Sequence, residues 1–448
     1  MIQHATHSPL PLEGSGEATT ICALATAPGG ALGIIRVSGP AALSAVSAIC
    51  TVCCERVAAN TIHYTHIVEY DAMSQHPILI DEAMVSVFRA PHSYTGEDSV
   101  EISCHGSRYI LNKVLELLVQ NGCRMANPGE FTQRAYLNGK MDLSQAEAVA
   151  DLIASSNRAT HHLAMSQLRG GISSQLATLR DHLLHLTSLL ELELDFSDHE
   201  DLEFADRTEL LQLAKTIETH ISRLADSFKT GQALKQGIPV AIVGAPNVGK
   251  STLLNALLGE ERAIVSDIQG TTRDAIEDTI DLDGIQFRFI DTAGIRHTSD
   301  SIEQMGIERS KAAVGRARII LMMTEPGVPY PDINIRDDQT VIRIENKTEH
   351  FQAKFGIGLE ALKQQLIATV PTYSDSDIVV TNARHYDALL RAHTSILRVL
   401  DGLQQHISGD LLSEDLRQTL DILAEITGGE ITTNEVLGNI FSHFCVGK

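Results

Sequence analysis

The sequence predicts an α/β unit inserted into an all-α domain, with a mixed α+β stretch ahead of both. Three observations predict it. From about residue 233 to 374, apolar strands alternate with amphipathic segments: IPVAIVG (238–244), STLLNALL (251–258), FRFIDTAG (287–294), RARIILMM (316–323) and TVIRIENK (340–347). That rhythm belongs to a parallel sheet with crossover helices. On either side, apolar residues recur at spacings of three and four, in DLSQAEAVADLIAS and LRDHLLHLTSLLELELDF before the unit and ALLRAHTSILRVLDGL and DLRQTLDILAEIT after it. Before residue 132, Gly, Pro and His mix with short β-rich runs, AMVSVF (83–88) and SVEISCHG (99–106). The boundaries read as 1–131 for the first domain, 132–232 with 375–448 for a discontinuous helical domain, and 233–374 for the insertion.

Composition narrows the class. The 448 residues have room for two or three domains with sizeable cores. No apolar run is long enough to span a bilayer, and no Lys or Arg precedes Arg36, which excludes a signal-peptide n-region or an Arg-rich transit peptide. Seven cysteines scattered over so long a chain point to a reducing cytoplasm. Cys50, Cys53 and Cys54 form a cluster with no second ligand pair at zinc spacing, so they read as buried or surface thiols. A net charge of −22 argues against broad, nonspecific nucleic-acid binding and leaves room for a local basic site.

The insertion carries the strongest chemistry. GAPNVGKS (244–251) fits G-x-x-x-x-G-K-[ST], directly after an apolar strand and before an amphipathic helix. Gly244 and Gly249 let the backbone curl so that successive N–H groups face phosphate oxygens. Lys250 reaches the outer phosphates, and Ser251 holds magnesium. DTAG follows the next strand, with Asp291 in the metal shell and the Gly294 amide at the γ-phosphate. GTTRD (270–274) lies between, with Thr272 poised to close over magnesium. Asn346 and Lys347 follow the strand TVIRI, where a base-reading loop belongs. Together these parts predict a guanine-nucleotide switch of the Ras-like P-loop class.

The hydrolytic parts differ from the Ras pattern. Ile295 stands where a glutamine would orient water, and Ile can neither donate nor accept a hydrogen bond. Two readings of Asn247 stand open: its side-chain oxygen holds a monovalent cation where an arginine finger would sit, or it only shapes the turn.

The segments GIIRVSGP, SYTGEDSVEISCHG, NPGEFTQRAYLNGKMDLSQAEAVADLI, GAPNVGKSTLLNALLGEERAIVSDIQGTTRD, DTAGIR and FCVGK together resemble the MnmE (TrmE) family of tRNA-modifying GTPases, from about Ala18 to Lys448. The resemblance implies an N-terminal α+β folate-binding and dimerisation domain, a helical domain made of two chain segments, and a Ras-like GTPase domain between them. It implies GTP and Mg2+, with K+ held by Asn247, Ser266, Ile268 and Thr271, and magnesium on Ser251 and Thr272. Nucleotide contacts extend to Val248 and Thr252, to Asp267, Gln269 and Gly270, and to Thr292 and Ala293. In the base-reading half they extend to Glu349 and to Gln352, Ala353 and Lys354. Glu303 matches the family's water-positioning glutamate; read alone, it is a solvated helix cap.

The same resemblance assigns a one-carbon tetrahydrofolate, 5,10-methylene or 5-formyl, to Arg36, Glu101, Lys140 and Lys448. Each of the first three would otherwise read as a surface or ion-pair charge. Cys445 becomes a reactive thiol or a buried structural one. A prenylation reading of CVGK fails on Gly447 and on Lys as the last residue. The implied assembly is a homodimer joined by the flavoprotein MnmG in a heterotetramer, acting on the wobble uridine of tRNA. FAD belongs to the partner, since this chain lacks a dinucleotide fingerprint.

The departures fall in the base-reading half. NKTE replaces N-K-x-D, QAK replaces Ser-Ala-Lys, and Thr324 sits where a carboxylate is frequent. Two rival readings are a ribosome-assembly GTPase and a non-catalytic nucleotide-binding scaffold. The first would need a GxxG RNA-binding module or a second phosphate loop, and the sequence has neither.

Overall fold

The computed structural model describes residues 19–70, 77–195, 207–260, 278–290, 312–370 and 378–429, together with 437, 440, 441, 444 and 447. They fall into two compact units, Met1–Ile153 with Leu168–Ser173 and Ala424–Lys448, and Ala154–Gln167 with Ser174–Leu423.

The first unit is built on a six-stranded sheet of order β3-β4-β5-β2-β1-β6. Its strands are β1 (Ile21–Leu24), β2 (Leu32–Ser38), β3 (Thr61–Glu69), β4 (Ile78–Phe88), β5 (Ser99–His105) and β6 (Arg124–Met125). Alternation decides which face is covered. In LGIIRVS, Ile35 and Val37 are buried while Leu32, Ile34 and Arg36 face the other side. Helices α1 (Ala42–Ile49) and α2 (Arg108–Gln120) cover the apolar face, and Val46, Leu111, Val114 and Leu118 join Ile35, Val85, Val100 and Ile102 in one core. Helices α3 (Glu130–Leu137) and α4 (Leu143–Ala154) follow.

The NPGEFTQR stretch is structural. Glu130, almost fully buried, accepts from Arg124 Nη1 and Nη2, from Arg134 Nη2 and from the Asn127 amide. Burial alone would raise its carboxyl group, but the bonds from Arg124, Asn127 and Arg134 hold it below the ordinary value.

In the second unit a five-stranded sheet has the order β11-β10-β7-β9-β8. These strands are β7 (Ile238–Gly244), β8 (Asp278–Leu282), β9 (Ile285–Phe289), β10 (Ile319–Thr324) and β11 (Thr340–Glu345). All pairs are parallel except the β8–β9 hairpin. Every residue of β10 is buried, as a central strand covered on both faces requires. Helices α5 (Arg158–Leu168), α6 (Gly171–Asp195), α7 (Arg207–Gln236), α8 (Lys250–Glu260), α9 (Leu359–Ala368), α10 (Ala383–Gln404) and α11 (Gly409–Thr427) complete the described elements. Leu163 of α5 enters the core of this sheet beside Ile280, Leu282 and Phe287. At the other end of α5, Gln167 donates to Thr381 Oγ1 at 3.0 Å in a buried bond. Gly231 of α7 lets the chain cross closely, because a Cβ there would collide with the Val380 carbonyl. Among the described residues no helix is long and apolar enough to cross a membrane.

Candidate nucleotide site and a second polar site

The turn from β7 into α8 forms a phosphate-sized cradle. It lies at the carboxyl ends of parallel strands, where open α/β sheets bind ligands. Gly249 has φ +102°, and a Cβ there would strike the Asn346 amide nitrogen. At Gly244 a Cβ would sit 2.5 Å from the Met323 carbonyl oxygen. Both glycines are therefore required by close approach and not merely tolerated. Asn247 takes φ +60°, a left-handed conformation that Asn adopts more readily than most residues. It shapes the turn, which leaves its second reading open.

Lys250, at the first turn of α8, folds back over its own loop. Its Nζ donates to the carbonyls of Gly244 at 2.8 Å and Ala245 at 2.9 Å. Burial pushes its ammonium below the ordinary value. Phosphate oxygens would offer that cation a full counter-charge in place of two carbonyl dipoles. Ser251 and Thr252 follow on the same helix end, where the backbone N–H groups point outward. The glycine cradle, the half-buried ammonium and the hydroxyl of Ser251 fit a nucleoside triphosphate with magnesium.

The base-reading half is tied to this loop by one side chain. Asn346, 5% exposed, donates from Nδ2 to the Val248 carbonyl at 2.8 Å and accepts at Oδ1 from the Ala353 amide at 3.1 Å. Gln352 and Ile357 bridge across the short loop that follows, and Lys354 lies in its 3₁₀ turn. Lys347 has φ +66° and pairs with Glu325 at 2.5 Å. Glu349 is exposed. Sequence reasoning missed Glu325. Its signal was its place one residue beyond the end of β10. Thr324 itself is buried and donates to the Val328 carbonyl, so it serves the turn.

Ser266, Asp267, Ile268, Gln269, Gly270, Thr271 and Thr272 lie outside the described residues. So do Asp291, Thr292, Ala293, Gly294, Glu303, Cys445 and Lys448.

A second polar site lies on the open face of the first sheet. Arg36 and Glu101 stand directly opposite each other on β2 and β5. Arg36 donates from Nε at 2.9 Å and from Nη2 at 2.7 Å to Glu101 Oε1, and from Nη1 at 3.2 Å to the Gly447 carbonyl. Its guanidinium also lies near the Tyr94 and Phe131 rings, 5.3 and 5.7 Å from their centroids. Lys140 donates to the Pro91 carbonyl at 2.9 Å, at the start of the loop that carries Tyr94. Tyr94 and Phe131 were also missed, although both fall inside the motifs quoted above.

Residues 20–140 match the family described as the GTP-binding protein TrmE N-terminus, and residues 143–445 match the MnmE helical domain. The chain belongs to the MnmE family of tRNA modification GTPases. Family members named tRNA modification GTPase MnmE agree along almost their whole length. That of Bacteroides fragilis is 52% identical over 465 residues, covering 96% of this chain and 99% of its own. Those of Phocaeicola vulgatus and Flavobacterium johnsoniae are 50% and 47% identical, with the same two coverages. A solved structure, the cytosolic domain of the T. maritima FeoB iron transporter in a GDP form, covers 42% of this chain and 96% of its own. At 16% identity and a TM-score of 0.21 that likeness carries no argument.

Proposed function

We propose that this chain is a potassium-activated GTPase of the cytoplasm that works with the flavoprotein MnmG. Together they add an aminomethyl or carboxymethylaminomethyl group to C5 of the wobble uridine of certain tRNAs, with the carbon drawn from a one-carbon tetrahydrofolate. The observation that carries the GTPase reading is Asn346, whose two hydrogen bonds fasten a base-reading loop to a glycine phosphate cradle.

Under this reading the domains are 1–131 for folate binding and dimerisation, 132–232 with 375–448 for the helical domain, and 233–374 for the Ras-like GTPase. Lys250 and the loop amides bind and orient the triphosphate, Ser251 and Thr272 hold magnesium, and Asn247 with Ser266, Ile268 and Thr271 holds potassium. Glu303 orients the attacking water, a task Ile295 cannot do. The alkali cation supplies positive charge that an arginine finger gives other switch proteins. Glu349, Gln352, Ala353 and Lys354 complete the base side.

Arg36, Glu101, Lys140 and Lys448 form the folate site. Glu101 offers a carboxylate to the N–H edge of a pterin, the cations suit a carboxylate-bearing tail, and Tyr94 and Phe131 supply ring surface. Cys445 is the reactive thiol beside it.

A homodimer is supported by the same open sheet face. Ile62 and Tyr64 are 65% and 58% exposed and Met84 41%, and Tyr64 stands opposite Met84. Ile62 continues across Ser86 and Glu101 to Arg36. Exposed apolar surface of this kind marks a contact face.

The test is reconstitution with MnmG, tRNA, GTP, potassium and 5,10-methylenetetrahydrofolate, followed by mass spectrometry of the tRNA nucleosides. A modified wobble uridine that needs both proteins supports the reading. GTP turnover with an unmodified nucleoside would favour a GTPase outside tRNA modification.

A further inference from the structure

Gly447 is held on two sides. Its φ is +91°, and a Cβ there would lie 2.5 Å from the Leu24 carbonyl oxygen and 3.0 Å from Ala25 Cα. On the other side its carbonyl accepts from Arg36 Nη1. Just upstream, the Phe441 and Phe444 rings meet at 5.2 Å and enter a cluster with Leu143, Ala146 and Leu437. Gly129 leaves room for that cluster, since a Cβ on it would sit 2.7 Å from the Phe441 carbonyl oxygen and 2.9 Å from Phe444 Cβ. The C-terminal segment is thus seated at separate points, by apolar packing at one end and by a glycine contact with an arginine bond at the other.

Arg36 makes a direct bond at each end of its guanidinium. Nε and Nη2 face Glu101, while Nη1 faces Gly447. Only a planar fork engages a carboxylate and a carbonyl in these two directions at once; an ammonium is a point charge and would keep one partner at most in that geometry. Ala at 447 would break the seat differently, because an L side chain disfavours this φ and its Cβ would meet β1.

We propose that Arg36 is a positioning residue. It latches the C-terminal segment through the Gly447 carbonyl, and the latched segment is a wall of the pocket in which a pterin-bearing ligand binds. The second part rests on the folate reading above; the latch itself does not.

The test uses full-length protein as wild type, Gly447→Ala and Arg36→Lys. Three quantities are measured: hydrogen exchange of the peptide spanning 437–447, affinity for 5-formyltetrahydrofolate by calorimetry, and GTP turnover. Both variants are expected to exchange this peptide faster and to lose roughly tenfold in folate affinity, with GTP turnover at the wild-type rate. A merely structural role would move all three together. Wild-type protection in Gly447→Ala overturns the latch. Lost folate affinity in Arg36→Lys with the peptide still protected makes Arg36 a direct ligand contact, and also overturns it. A released segment with unchanged folate affinity overturns its role as a wall. Failure of the wild type to bind folate refutes the folate reading, while exchange in the two variants still decides the latch.

Discussion

Asn346 and Val248 are joined by a buried 2.8 Å hydrogen bond, from the amide of one to the carbonyl of the other. Through it, a residue just past β11 fixes the phosphate loop between β7 and α8. The same side chain accepts from Ala353, so three segments share one amide group. Loop geometry and base reading are therefore one structure.

Replacing that side chain should loosen both halves. Asn346→Ala leaves a buried carbonyl and a buried amide unpaired, a cost of about 1–3 kcal/mol for each. Nucleotide affinity should fall by roughly tenfold or more for GTP and GDP alike. Asn346→Asp keeps the acceptor for Ala353 but loses the donor to Val248, and should also weaken binding. Fluorescent-nucleotide titration checks both.

Gly249→Ala should abolish nucleotide binding while the fold persists. The new methyl would collide with the Asn346 amide, and the backbone would be strained at φ +102°. Circular dichroism near that of the wild type, with no measurable GTP binding, is the expected pair of results.

The Glu130 network gives a pH dependence with a definite sign. Its carboxyl is lowered from the ordinary 4.5, so its contribution is complete above that value and is lost as pH falls through the lower native one. Acid melting should therefore include a step below about pH 4.5 that is absent from Glu130→Gln. At neutral pH that variant loses charge pairing with Arg124 and Arg134 and should cost about 3 kcal/mol, seen as a lower Tm.

Gly231→Ala should destabilise the second unit without touching the nucleotide loop. Its methyl would press on the Val380 carbonyl, beside the point where Ser227 Oγ binds the Val380 amide at 3.0 Å. Overpacking of this kind costs about 1–3 kcal/mol. A lower Tm in apo protein, with GTP affinity preserved at low temperature, is expected.

Much of this architecture was legible in the chain. The unbroken apolar run of β10 and the β7–glycine–α8 sequence announced a parallel sheet with a phosphate loop. Helix α2 was less visible, though its buried Leu111, Val114 and Leu118 fall at helical spacing, because β-rich runs dominate its surroundings. Strand β8, DTIDL, was missed because two aspartates interrupt a short run whose buried residues are only Ile280 and Leu282. The Arg36–Glu101 pair could not be read from spacing. The two lie 65 positions apart, and only the β2–β5 register brings them together. Alone, each reads as a surface charge. Gly447 beside Arg36 was hidden for the same reason, 411 positions away.

The central claim is that an alkali cation beside Asn247 replaces an arginine finger. GTP turnover in potassium and in sodium, at equal ionic strength, tests it most directly. The account predicts turnover at least about tenfold faster in potassium, with the difference erased in Asn247→Ala. Equal rates in the two salts would contradict it.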